Sequence, residues 1–262
     1  MSEHTKHIEK TTIVDNWLPR YTGLPLEKFG KYILLVNFRH YLESFSSLYN
    51  VPIYGNDKAM QVATHNDISI INFGMGSPNA ATVMDLLTAI SPKAVLFLGK
   101  CGSLKNNIPV GSLLLPIGAI RGEGTSNDYF PPEVPALPSF QIERALSHVI
   151  KKNERDYFSG TVYTTNRRVW EHDTFFKQYL TRIRATAIDM ETATILSVGF
   201  YNQIQTGVLL LVSDQPMTPD GVKTDKSDKV VTENYGNVHL KFGIEALEHI
   251  LESGESLKHL KF

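Results

Sequence analysis

Cysteine is almost missing from this chain: its 262 residues include one, Cys101. An internal disulfide and a cysteine-rich metal centre are therefore excluded. An excess of either charge is missing as well, with 26 Lys and Arg against 27 Asp and Glu. The resulting net charge of −1 gives no bulk attraction to nucleic acid or to a membrane surface. No apolar run approaches the roughly 20 residues that span a bilayer. The N-terminus, Met1 to Lys10, is polar and lacks the apolar stretch of a signal peptide. Internal repeats and low-complexity tracts are absent too. What is left is an ordinary globular composition, 42% hydrophobic and 20% charged, so the expectation is a cytoplasmic protein without a bound metal or cofactor.

Apolar runs supply the organisation. Gly207 to Val212 is short, rich in leucine and valine, opened by a glycine and closed by Ser213 and Asp214. That pattern reads as a strand buried on both faces, which belongs in a parallel or mixed sheet covered by helices. Tyr32–Val36 and Ala94–Leu98 have the same character, and a strand pair is expected around 59–64 and 68–73. Residues 112–117, 118–121 and 160–165 are further strand-like stretches. Helical spacing marks 38–49, 77–90, 140–151, 171–183 and 189–200, and Leu240, Ile244, Leu247 and Leu251 mark a last helix. Strands and helices alternate without a linker-like break. The expectation is a single-domain, three-layer α/β/α fold over residues 30–262, with a central mixed sheet and an N-terminal arm at 1–29 whose Trp17 docks on a neighbouring surface.

Chemistry is expected where strands end, because ligands of α/β sheets bind outside the carboxyl ends of the strands. Asp214 sits at such an end, and it suits either catalysis or the capping of a turn before Pro216. Gly74-Met75-Gly76-Ser77-Pro78 lies between a strand and a helix, with Ser77 suited to the N-cap and Pro78 to the first helical position. Its glycines let backbone N–H groups approach an anion, or simply allow a tight turn. It is no dinucleotide fingerprint, since the third glycine is replaced by Asn79 and Gly99-Lys100 ends the next strand without an acid. In Asp189-Met190-Glu191, two carboxylates flank a methionine at a strand-to-helix junction. They suit a helix's first turn, or a carboxylate that binds a sugar diol with Met190 packed on the sugar.

Taken in order and spacing, Gly74 to Pro78, Gly99-Lys100-Cys101-Gly102, Asp189 to Ala193 and Ser213-Asp214 resemble the nucleoside phosphorylase superfamily. Arg20-Tyr21-Thr22-Gly23, Val36-Asn37, Phe130 to Pro135, Gly160 to Thr165, Arg168 and Trp170-Glu171 make the nearer resemblance the AMP nucleosidase family, over about residues 19–250. The resemblance implies a sheet that is partly barrel-like, and a hexamer built of dimers. It implies a short form, without the N-terminal regulatory domain of long AMP nucleosidases. The activity implied is hydrolysis of AMP to adenine and ribose 5-phosphate. Asp214 would be the general acid to the purine, with Ser213 beside it. Glu191 would hold the ribose hydroxyls and face a cationic sugar. Trp170 and Tyr163 would lie on the base or pack in the core. Gly74, Gly76, Gly99 and Lys100 would line the site, and Arg121, Arg168 and Lys223 would meet the 5′-phosphate. Cys101 reads as a small buried hydrophobe.

The departures from the phosphorylases bear on the nucleophile. Their first strand ends in a Gly-Asp-Pro turn followed by an arginine, and here the turn reads Val36-Asn37-Phe38-Arg39. An arginine that they carry is Phe97 here, and Lys100 stands where they place a phosphate-binding serine. The implied nucleophile is water. The rival readings are a purine nucleoside phosphorylase, a nucleosidase for unphosphorylated nucleosides, and a non-catalytic nucleotide sensor.

Overall fold

Eight strands follow from the apolar runs in the computed structural model, which describes residues 9–253: β1 (Tyr32–Val36), β2 (Gln61–His65), β3 (Ile68–Asn72), β4 (Ala94–Ser103), β5 (Leu113–Gly122), β6 (Phe158–Thr165), β7 (Ala187–Asp189) and β8 (Thr206–Asp214). The helices are α1 (Lys10–Thr22), α2 (Arg39–Tyr49), α3 (Ser77–Leu86), α4 (Phe140–Lys152), α5 (Thr174–Arg182), α6 (Thr192–Tyr201) and α7 (Asp225–Ser253). None of these helices is long and apolar enough to cross a membrane.

The sheet is mixed and partly closed. Its order is β2-β3-β1-β4-β7-β6-β5-β8, and β4 also pairs with β8. That last pairing closes β4, β7, β6, β5 and β8 into a barrel, from which β1, β3 and β2 extend as an open wing. Period-2 alternation then divides the core. Ile33 and Leu35 of β1 join one apolar cluster with Leu18 of α1, Met84 of α3 and Ile195 of α6. Tyr32, Leu34 and Val36 join a second with Phe45 of α2, Leu146 of α4 and Leu247 of α7. The three-layer expectation holds, and both faces of β1, β4 and β8 are buried as their unbroken apolar runs require.

Several boundaries differ from the sequence reading. Lys10–Thr22, within the expected arm, is a helix despite Pro19. Val14 and Leu18 are buried, while Trp17 stays 42% exposed and stacks on Tyr21. The first residues of that arm, 1–8, lie outside the described residues. Residues 113–122 form one strand, with a register shift between Pro116 and Gly118. Asp189 ends a short strand and does not begin a helix, because β7 pairs with β6. The helix from Ser77 stops at Leu86 and tightens into a 3-10 turn over Leu87–Ile90. The last helix starts at Asp225, earlier than the apolar spacing indicates, because its first turns are polar.

His239 of α7 fixes that helix against β8. Its ring lies between the Tyr41 hydroxyl, 2.9 Å from Nδ1, and the Leu209 carbonyl, 2.9 Å from Nε2. The carbonyl requires a donor, so Nε2 carries the proton and Nδ1 accepts from Tyr41. Burial holds the ring neutral and lowers its pKa to about 4. The unfolded chain takes up that proton near pH 6.5, so stability is full above that pH and falls as pH drops towards 4. The expected loss is on the order of 3 kcal/mol. Denaturant melts of the native protein and of His239→Gln at pH 7.5 and 5 test this: the variant should lose less between the two pH values, and equal losses would contradict the assignment.

Candidate active site

The ends of six strands meet at one cavity of about 210 Å³, β6 through its last residue, Thr165. Asn37 and Phe38 follow β1, Met75 follows β3, Lys100 to Gly102 end β4, Ile188 to Glu191 end β7, and Asp214 ends β8. The Thr165–Glu171 segment contributes Arg167, Arg168 and Trp170, and the start of α7 brings Asp228. Of the residues expected in a site, the structure brings together Met190, Glu191, Asp214, Lys100, Arg168, Trp170 and Lys223.

Glu191 is held from several sides. The Gly76 N–H donates to its Oε1 at 2.7 Å, and the Asn37 amide hydrogen-bonds the same carboxylate. Gly76 presents that N–H because its φ of +94° turns the chain into α3. Gly76 also takes the N-cap position expected for Ser77. The Ser77 hydroxyl instead donates to the Met190 carbonyl at 2.6 Å, tying the two turns together. Asp189 is the anchor of the β7–α6 turn. It accepts from Thr164 Oγ1 at 2.7 Å, Thr192 N at 2.8 Å and Thr192 Oγ1 at 2.5 Å, and more loosely from Glu191 N. Burial raises its carboxyl and these donors oppose the rise. Burial, then the neighbouring Asp189, push Glu191 well above the ordinary carboxylate range.

At the end of β8, Ser213 Oγ donates to Asp214 Oδ1 at 2.7 Å. Gly102 lets the β4 backbone lie close to this carboxylate: a Cβ there would stand 3.2 Å from Asp214 Oδ2. Lys223 Nζ is 3.7 Å from Asp214 Oδ1 and 3.4 Å from Asp228 Oδ1. Lys100 is 2% exposed at its side chain and donates to Asp228 Oδ1 at 2.8 Å and Thr232 Oγ1 at 2.6 Å. Burial lowers the Lys100 ammonium, and Asp228 counters this. Burial alone would raise Asp228, but Lys100 and Lys223 outweigh it and leave the carboxyl low.

Other expected residues are placed elsewhere. Arg121 is engaged by its own loop, donating to the Phe130, Pro131 and Val134 carbonyls and to Ser126 and Asn127, so the structure does not bring it to the cavity. Tyr163 packs in a small cluster with Trp170, edge-on to Phe176, and covers Gly122. Gly99 is needed for packing, since a Cβ would meet the Phe97 ring at 2.5 Å. Gly74, with φ +84°, shapes the turn, and Ser213 is buried behind Asp214. Arg168 reaches the rim, 54% exposed and 3.4 Å from Glu171. Sequence reading missed Asp228 and assigned Asn37 no role. Asp228 gives no local signal, while the turn after β1 was an available clue to Asn37. Among the described residues, no cluster of His, Cys, Asp and Glu is arranged to hold a metal ion.

Comparison with known proteins shows the family and the fold. Residues 31–248 match the family model of the phosphorylase superfamily. AMP nucleosidase of Escherichia coli is 27% identical over 93% of this chain and 60% of its own length. The chain thus spans about 60% of the curated AMP nucleosidases it matches. Uridine phosphorylase of Treponema pallidum is 24% identical over 78% of this chain and 85% of its own. The crystal structure of AMP nucleosidase from Bacteroides thetaiotaomicron is 54% identical, with a TM-score of 0.85, covering 94% of this chain and 99% of that one. Uridine phosphorylase from Vibrio fischeri, 21% identical with a TM-score of 0.75 over 87% of this chain and 93% of its own, shares the fold.

Gly76→Ala tests the turn that serves Glu191. A side chain at this φ stores strain, so the variant should lose about 1–3 kcal/mol of stability. Its melting temperature should fall, and an unchanged melt would show that the turn tolerates a Cβ.

Proposed function

Since the chain belongs to the phosphorylase superfamily, we propose that it hydrolyses the N-glycosidic bond of AMP, releasing adenine and ribose 5-phosphate. The observation that carries this reading is that Glu191 and Asp214 line one cavity together with Lys100, Lys223, Arg167 and Arg168. An N-glycosidic bond breaks when the purine leaves as a neutral base, which requires a proton at N7. Asp214 is the general acid in this proposal, held in place by Ser213. The sugar becomes cationic as the bond lengthens. Burial makes a charge on Glu191 costly, and a developing cation beside it lowers that cost, so the interaction strengthens in the transition state. Met190 packs on the ribose and Trp170 on the base. Arg168, at the rim, meets the 5′-phosphate, while Lys223 is engaged by Asp214 and Asp228.

Water as the nucleophile is supported by Phe97. Where phosphorylases carry an arginine, this ring is fully buried and packs on Phe73 with centroids 5.8 Å apart. The reading extends to a cytoplasmic homo-oligomer, a hexamer of dimers, with residues 30–262 as catalytic domain and 1–29 as an arm. The exposed Ile13 and Trp17 face of α1 is a surface offered to such an assembly.

Asp214→Asn keeps shape and removes the proton donor. Turnover of AMP should fall at least ~100-fold while AMP still binds. Steady-state kinetics with calorimetry measure both quantities, and near-native turnover would remove Asp214 from the mechanism.

A further inference from the structure

Lys100 is a buried ammonium, and two of its three N–H donors are taken by the chain itself. Those two go to Asp228 Oδ1 and Thr232 Oγ1, and the group lies 4.5 Å from the centre of the Phe38 ring. Asp228 in turn lies within ion-pair distance of two ammonium groups, Lys100 and Lys223. A carboxylate oxygen held by two ammonium groups is bound as a phosphate oxygen would be. Asp228 is also the more exposed partner, 29% against 2% for Lys100, so it lies on the solvent side of the buried charge. It belongs to the first turn of α7, a different element from the β4 strand that carries Lys100. The cavity is therefore built with a cationic corner, and the chain itself supplies the anion that fills it.

We propose that Asp228 is a specificity-determining residue, an internal anion that occupies the corner formed by Lys100 and Lys223 and keeps free inorganic phosphate out of the cavity. This rests on the reading of the cavity as an AMP hydrolase site. In such a site, a phosphate bound beside the sugar would compete with water for C1′. Its oxygen would form the C1′–O bond as the C1′–N9 bond breaks, with the electron pair leaving on adenine and the purine taking the proton from Asp214. Asp228 removes that competitor by like-charge repulsion and by holding the donors that would bind it.

Calorimetric titration with inorganic phosphate tests the proposal without relying on turnover. Asp228→Asn should bind phosphate about tenfold or more tightly than the native protein, because one unit of negative charge is removed within contact distance of the ligand. Adding Lys100→Gln to that variant should abolish the gain. Asp228→Ser, assayed in parallel, gives the same readout if the asparagine variant fails to melt cooperatively. Equal or weaker phosphate binding in a folded Asp228 variant would overturn the proposal, as would a gain that survives Lys100→Gln. Failure of the AMP reading is seen separately, as absence of adenine release by the native protein whatever the phosphate affinities.

Discussion

The parallel pairing of β4 with β8 is the constraint from which the site follows. It runs in register from Val95 opposite Thr206 to Cys101 opposite Val212, then shifts so that Gly102 stands opposite Asp214. Both strands carry an unbroken apolar run, Ala94–Leu98 and Val208–Val212, that gives way to polar residues towards their shared end. The hydrophobic effect thus fixes where the chemistry lies, because the apolar runs have to be covered by helices and only their ends can be open. The same pairing closes the barrel, and a separate pairing of Gly102 with Ile188 sets β7 against the end of β4, which brings Glu191 to the cavity that Asp214 lines.

Polar order in the cavity is built outward from buried carboxylates. Asp189 is satisfied by donors from β6 and from the start of α6, and it fixes the turn on which Glu191 sits. Glu191 is satisfied by Gly76 across the sheet, so the β3–α3 and β7–α6 turns hold one another. Buried polar groups are tolerable only when partnered, and here the partnering also aims the side chains. In the same cavity, Lys100, Lys223 and Asp228 form a second charged group, in contact with Asp214 through Lys223. One part of the cavity carries a carboxyl whose charge is costly, and another carries paired charges. That asymmetry suits a reaction that develops positive charge on a sugar beside Glu191, where the new cation offsets the cost of its charge.

Much of this was legible in the sequence because it is local. Strand ends are marked by Gly74 to Pro78, Gly99 to Gly102, Asp189 to Glu191 and Ser213-Asp214, each a few residues long. What was not legible depends on loop conformation or on distant packing. Arg121 has the chemistry of a phosphate ligand, but the carbonyls of Phe130, Pro131 and Val134 curl around it, and backbone carbonyls carry no side-chain signature. Ser77 has the chemistry of an N-cap, yet Gly76 takes that position because the Met190 carbonyl lies within reach of the hydroxyl. Asp228 lies in a polar stretch with other acids, and only the docking of α7 over β4 sets it on Lys100.

The central claim is that AMP is cleaved in this cavity by water. The direct measurement is identification of the products formed from AMP, and from adenosine, by the purified protein in phosphate buffer. The account predicts adenine with ribose 5-phosphate from AMP, and much slower release of adenine from adenosine. Ribose 1,5-bisphosphate as the sugar product, or adenosine cleaved in preference to AMP, would contradict it.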